Sequence, residues 1–486
     1  MSLIDSRSSK AQKKLIRGLL EAPRAFHSGE TPAVRGSLKK MLLPGTRAPI
    51  TGVNRSKNML GNISMNIHAA RASTRTYALA YPFVTEGGMP ASAVYMGQDA
   101  SGGGAFCADP WDWYAKGFIT GASIVLIGTV GTGKSTCAKT LASRLVLTGR
   151  KCAVASDPKG EWVRVAEFLG GTVIAVGPGR PNARMNPLDS GQRPSMSTHK
   201  TPLSDSEWEG MKRGRRSSVL TAIATIMLGG RPILPAEHTA LSRALDASTK
   251  RLETPTITSI IYDLRNPSEE VQRELGDHHS DMVHALGRMC EGDLAGMFDE
   301  ESTVAFDPST PMIVIDTSAL QGASPDARKI ANLCTSAWIE AAITNPDFGR
   351  WLVVYEEGWD TMSDPALLAR MVTQWKIARE YGLVNMLIMH KIADLDMAGD
   401  EGSATRAMAK SLLADAEIRI VYRQEFGSLP ETVRALGLSE PEAEQVKELP
   451  RGVGLWKVGA RAFVVRNLMT KAEENVFNTS SRMDAA

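Results

Sequence analysis

A glycine-rich octet, Gly128, Thr129, Val130, Gly131, Thr132, Gly133, Lys134 and Ser135, fits the pattern G-x-x-x-x-G-K-S/T. These residue types bind the phosphate chain of a nucleotide. Glycines let the backbone turn tightly and bring its N–H groups against phosphate oxygens. A helix that starts at the end of the loop adds unpaired N–H groups and a favourable dipole. Lys134 is expected to reach the β- and γ-phosphates, the Ser135 hydroxyl to sit on magnesium, and Thr136 to complete the cradle. ATP and Mg2+ are the cofactors this chemistry calls for. Hydrolysis also needs a carboxylate at the end of a neighbouring strand, to hold magnesium through water, and a second one to orient the attacking water. Leu352–Tyr355 followed by Glu356 and Glu357 supplies both, Glu356 for the magnesium shell and Glu357 as base. Ile313–Ile315 followed by Asp316 supplies one, which reads equally as a cap on the next turn. Glu356 is one methylene longer than aspartate, a shift of roughly 1.5 Å, and magnesium demands strict geometry.

These side chains need strands and helices to place them. Ile124–Ile127 is an apolar run ahead of the octet, and Cys137, Ala138, Leu141 and Ala142 recur behind it at helical spacing. The alternation continues with strands at Cys152–Ser156 and Thr172–Val176 around a helix at Trp162–Leu169. It resumes at Met312–Ile315, Trp351–Tyr355, Leu383–Met389 and Ile418–Tyr422, with helices between, and closes with Val453–Val458 and Ala462–Arg466. Such alternation predicts an α/β fold with a mainly parallel sheet flanked by helices. Between the two halves, Glu207–Leu228, Pro235–Leu252, Ile257–Leu264 and Pro267–Cys290 read as a helical insertion. The expected organisation starts with a basic arm (1–75) and a small β-containing N-terminal region (76–115). The first half of the core (116–189), the insertion (190–300) and the second half of the core (301–470) follow, and a polar, frayed tail (471–486) ends the chain. The aromatic cluster Cys107–Tyr114 precedes the first core strand and reads as packing at the edge of the nucleotide domain, with adenine stacking as the other use.

The 486 residues carry a net charge of +3, unevenly placed. Residues 1–75 hold 14 Lys/Arg against 3 Asp/Glu, or +11, which leaves −8 for the remainder. A basic arm on an acidic body suits contact with DNA, anionic lipid or an acidic partner. Lys212, Arg213, Arg215 and Arg216 form a second basic knot, read as a solvated helix end or a contact with DNA or a neighbouring subunit. Five dispersed cysteines without C-x-x-C spacing argue against a zinc site or a disulfide framework and for a reducing cytoplasm. No apolar stretch approaches the ~18–20 residues of a membrane span.

The octet, Asp157–Glu161 (D-P-K-G-E), Asn186–Asp189 (N-P-L-D), Gly292–Phe298 (G-D-L-A-G-M-F) and Glu356–Trp359 (E-E-G-W) stand in an order that resembles the TraC-like (VirB-family) conjugative ATPases of type IV secretion systems. These belong to the FtsK–HerA group of P-loop motors, and actinobacterial members look most similar. The resemblance spans roughly residues 75–470. It implies a RecA-like core, a homo-hexamer with ATP between subunits, and an arginine supplied in trans. Arg423 is the first candidate for that arginine, with Arg419 and Arg451 as alternatives. His390 and Lys391 stand where relatives carry a polar sensor. The implied role is a motor for channel assembly or DNA transport, at the inner face of the membrane, with membrane-embedded channel components as partners. A DNA translocase and a nucleotide-gated structural subunit with vestigial hydrolysis are the alternatives.

Overall fold

The apolar runs of the core join a single sheet in a computed structural model that describes residues 93–100, 103–178, 183–197, 201–275, 278–291, 294–356, 364–392 and 403–478. The basic arm and Glu357 lie outside the described residues. The strands are β1 (Val94–Asp99), β2 (Ala105–Ala108), β3 (Ile124–Ile127), β4 (Lys151–Asp157), β5 (Thr172–Ala175), β6 (Met312–Asp316), β7 (Trp351–Tyr355), β8 (Val384–Met389), β9 (Ile418–Val421), β10 (Val453–Val458) and β11 (Arg461–Asn467). Their order is β2-β1-β11-β10-β9-β3-β8-β7-β4-β6-β5. The run from β9 to β5 is parallel throughout. The run from β9 to β2 is antiparallel.

Helices α1 (Pro110–Ala115), α2 (Lys134–Leu147), α3 (Val163–Phe168), α4 (Asp205–Met227), α5 (Pro235–Arg251), α6 (Ile257–Arg265), α7 (Glu269–Leu275), α8 (His278–Gly287), α9 (Pro325–Ile343), α10 (Pro365–Ile377), α11 (Ala404–Ala414), α12 (Leu429–Leu436), α13 (Glu440–Glu448) and α14 (Lys471–Phe477) pack around the sheet. All of β3 is buried, because Ile124 and Leu126 join one apolar cluster and Val125 and Ile127 another. Burial on both faces is what a parallel strand covered by helices requires, and explains why β3 reads as an unbroken apolar run. Helices α4 to α8 fall between β5 and β6, and their apolar faces (Val219, Ile223, Leu241, Ile260, Leu286) share one core cluster with Ala153 and Ile313 of the sheet.

The stretch Pro267–Cys290, expected to be helical, forms α7 and α8. One expectation is corrected. The chain after Thr470 is not frayed at its start: Thr470 caps α14 with a reciprocal bond from Glu473, and Phe477 is buried. Residues 107–114 contribute β2 and α1. Phe106 packs on Trp113 and on Trp456 and Phe463 of the β10–β11 hairpin, so Trp111 and Trp113 of the aromatic cluster are core of the antiparallel extension, while Tyr114 stays exposed. The Trp111 indole donates to the Gly382 carbonyl at 2.9 Å, and the Arg150 guanidinium lies over its ring.

Candidate nucleotide site

At the carboxyl edge of the parallel strands the chain leaves β3 into the octet, β4 at Asp157, β6 at Asp316, β7 at Glu356 and β8 at His390. Open α/β sheets place their ligands at this edge. Strand β8 lies between β3 and β7, so the octet and Glu356 stand one strand apart.

The octet is held from both sides. Gly131 and Gly133 have φ of 79° and 110°, left-handed values that glycine adopts without a Cβ penalty. A Cβ on Gly128 would lie 2.5 Å from Cβ of Tyr422, so only glycine allows that approach. The Thr129 N–H donates to the Arg423 carbonyl at 3.1 Å, and the Gly452 N–H donates to the Thr132 carbonyl at 2.9 Å. The Thr132 hydroxyl donates to the Thr129 carbonyl at 2.7 Å. Val130 stands exposed at the tip. Lys134 is buried, and its ammonium donates to the carbonyls of Gly128 and Thr129, the latter at 2.8 Å. That holds the charge inside the curve of the loop. Ser135 and Thr136 follow on the first turn of α2, both partly buried.

A second group of side chains fixes Glu356. Asp157, fully buried, accepts from the N–H of Glu161 at 3.1 Å and of Trp162 at 2.7 Å, turning the D-P-K-G-E segment back over the sheet. The Trp162 indole then donates to Glu356 Oε2 at 3.1 Å. Lys139, buried on α2, pairs with Glu161 at 3.0 Å. Burial pushes the Glu356 carboxyl up to about 7; the indole bond and Lys139 act downward, Glu161 and Asp157 upward. Burial raises Asp157 as well, against its two backbone bonds and with Asp316 adding to the rise.

This geometry sets a stability prediction. Between pH 4.5, the ordinary value for Glu356, and about 7 the folded protein retains a proton that the unfolded chain has released. Raising pH through that window therefore costs the parent stability, roughly 1–3 kcal/mol, and costs a Glu356→Gln variant none at this position. Denaturant midpoints of the nucleotide- and metal-free proteins at pH 5 and pH 8 measure the difference. A pH-independent gap between the two would contradict the raised carboxyl.

The donors suit magnesium: a serine hydroxyl on the first turn of α2 and a strand-end carboxyl are hard oxygen ligands. Among the described residues no three His, Cys, Asp or Glu side chains form an all-protein metal cage. A magnesium ion held mainly by phosphates and water needs none.

Of the other sequence-derived candidates, Asp316 caps the turn after β6, accepting from the Ser318 N–H at 3.0 Å. Glu357 falls outside the described residues. Arg423 has an exposed side chain beside the loop that its carbonyl tethers. Arg419 is committed elsewhere: its guanidinium donates to the carbonyls of Ala414, Ala416 and Leu436 at 2.6–2.8 Å, closing the ends of α11 and α12. Arg451 is exposed next to Gly452. The four cations of the basic knot on α4 have partners within the chain. Lys212 pairs with Glu209, and Arg213 with Asp246. Arg215 donates to Ser190 and Thr344, and Arg216 to the carbonyls of Leu188 and Glu253. Arg215 and Arg216 thus hold α4 to the 188–190 stretch and to the end of α9, whereas the Lys212 and Arg213 pairs lie within the insertion. Sequence reading missed Trp162, Lys139, Tyr422 and Gly452 as neighbours of the site. Only the D-P-K-G-E-W run signalled one of them.

The fold and the loop define a RecA-like P-loop α/β protein. VirB4 of Thermoanaerobacter pseudethanolicus has the same fold, with a TM-score of 0.64 and 20% identity over 80% of this chain and 100% of that one. The bacterial conjugative coupling protein TrwBdeltaN70, in an unbound monoclinic form, matches with a TM-score of 0.50 and 14% identity over 79% of this chain and 90% of that one. No family model and no curated relative matches the sequence.

Proposed function

We propose that this chain is an ATP-hydrolysing motor of the conjugative type IV secretion class, working as a homo-hexamer against a membrane-embedded channel. One observation carries the reading: the octet after β3 and Glu356 after β7 meet at the same sheet edge, with β8 between them. The likeness in fold to VirB4 and to a conjugative coupling protein supports the choice of class. So do the D-P-K-G-E and E-E-G-W segments. The proposed attachment is peripheral, at the cytoplasmic face; among the described residues no helix is long and apolar enough to cross a membrane.

In this reading the backbone N–H groups of Gly131–Ser135 hold the phosphates and Lys134 neutralises charge on the β- and γ-phosphates. Ser135 and Glu356 would hold a magnesium ion, which would supply positive charge to offset that of the phosphates. Glu357 orients the attacking water and accepts its proton. Arg423 of one subunit reaches the γ-phosphate held by the next. Trp162 keeps the Glu356 carboxyl turned towards the site.

The test is Glu357→Gln. It is expected to bind ATP as the parent does, to lose turnover by about 100-fold or more, and to sediment as a hexamer when ATP is present. Undiminished turnover would remove Glu357 from the role of base. A monomer at saturating ATP would remove the hexamer and, with it, Arg423 in trans.

A further inference from the structure

A second cleft opens at the opposite edge of the same strands. It has a volume of 520 Å³, within the roughly 300–1,000 Å³ of small-ligand sites. Ser123 precedes β3, Arg350 precedes β7 and Leu383 precedes β8, and all three line it. The octet, Glu356 and His390 follow those strands, so the two sites lie at opposite ends of β3, β7 and β8. Helix α1 and the C-terminal end of α10 complete the walls.

The chemistry of the lining is one-sided. Arg350, Lys376 and Arg379 are exposed, and among the described residues none of the three pairs with a carboxylate. The lining contains no Asp or Glu. Of the acids close to the walls, Asp112 pairs with Lys116 at 2.7 Å, Glu417 accepts from the N–H groups of Thr120 and Gly121 at 2.8 and 3.1 Å, and Asp415, whose carbonyl lies beside Gly121, is exposed and outside the lining. Glu380, next to Arg379, is exposed and stands outside the lining. The dipole at the end of α10 favours Lys376 and Arg379 there, but not Arg350, which comes from the approach to β7. Aromatic groups accompany the cations. Tyr114 is 41% exposed, and Trp375 is buried with its indole N–H unpartnered. Guanidinium groups match phosphate oxygens in pairs, and an exposed ring offers a face for a base. The contrast with α4 is informative: the four cations most conspicuous in the sequence are tied into internal contacts, whereas these three, dispersed in sequence, are gathered by the fold.

We propose that this cleft binds a nucleoside phosphate, either as a unit of a single-stranded nucleic acid or as a free nucleotide. The phosphate lies on Arg350, Lys376 and Arg379, and the base against Tyr114. The site does not depend on turnover at the octet.

The test titrates the full chain with a fluorescent oligo(dT) and, separately, with labelled dTMP, which has no β- or γ-phosphate for Lys134. The parent is expected to bind one or both, more weakly as salt rises. Arg350→Glu/Arg379→Glu is expected to weaken binding at least tenfold while its melting temperature and ATP turnover stay at the parent's values. Tyr114→Ala, at an exposed position of α1, is expected to weaken it about fivefold or more. Tighter binding of the oligonucleotide than of dTMP identifies the nucleic acid as the source; equal or exclusive binding of dTMP identifies the free nucleotide. The proposal is overturned if neither probe binds, or if the double charge reversal binds as the parent does. Because turnover is read in the same variants, failure here is separate from failure of the motor reading.

Discussion

Lys134→Ala is expected to lower ATP turnover by about 10²–10³-fold, the loss typical of removing one preorganised charge from a developing oxyanion. The ammonium already sits within the loop that would receive the phosphates, bonded to the carbonyls of Gly128 and Thr129. Two backbone contacts fix that loop from outside, Thr129 to Arg423 and Gly452 to Thr132. Alanine removes the charge without disturbing those tethers, so the fold is retained and the loss falls on phosphate binding and transfer. Phosphate release at saturating ATP, with the melting curve as a control, measures it. Turnover within tenfold of the parent would show that the ammonium does not act on the phosphate chain.

The second large effect is on stability. Arg144 of α2 binds Glu473 of α14 through two bonds, Nε to Oε1 at 2.8 Å and Nη2 to Oε2 at 2.6 Å. The same guanidinium donates to the carbonyls of Leu468, at 2.8 Å, and of Tyr95. One side chain thus ties the nucleotide-loop helix to the last helix and to the antiparallel edge. Both partners are largely buried, with 13% and 8% of their side chains exposed. Arg144→Met leaves a buried carboxylate unpaired and is expected to cost about 3–5 kcal/mol in a denaturant titration. Arg144→Met/Glu473→Met is expected to cost less than the two single changes together, since no charge is stranded. Burial works against the Glu473 carboxylate, and Arg144 with the Thr470 N–H more than offsets it, leaving its pKa below the ordinary 4.5. Its contribution is therefore complete above pH 4.5 and lost as pH falls through the lowered value. A single-variant loss under 1 kcal/mol would contradict the reading of the pair.

The parallel half of the sheet was legible in the sequence because its strands are buried on both faces and read as short apolar runs. Ile124–Ile127 and Trp351–Tyr355 begin and end where those runs do. The octet was legible because its chemistry fixes both residue type and spacing. The antiparallel extension was harder to read. Ala105–Ala108 is too short to show alternation, and Phe106 and Trp113 only become core once β10 and β11 fold over them. The last helix was missed because Lys471–Phe477 is polar and depends on the Arg144 contact with Glu473, which lies 329 positions away. Distance along the chain also hid the partners of the site. Trp162 and Glu356 are 194 residues apart, and only the adjacency of β4 and β7 brings them together. The α4 cations make a general point: clustered charge in a sequence does not show which guanidinium groups will be held by carbonyls, as Arg215 and Arg216 are.

The central claim is that the carboxyl edge of this sheet hydrolyses ATP. Phosphate release by the unmodified full chain, with ATP and magnesium, with and without DNA, tests it most directly. The account predicts magnesium-dependent turnover, and strong stimulation by DNA would identify the motor as a translocase. Tight ATP binding with no phosphate release under either condition would contradict hydrolysis and leave a nucleotide-gated structural subunit in its place.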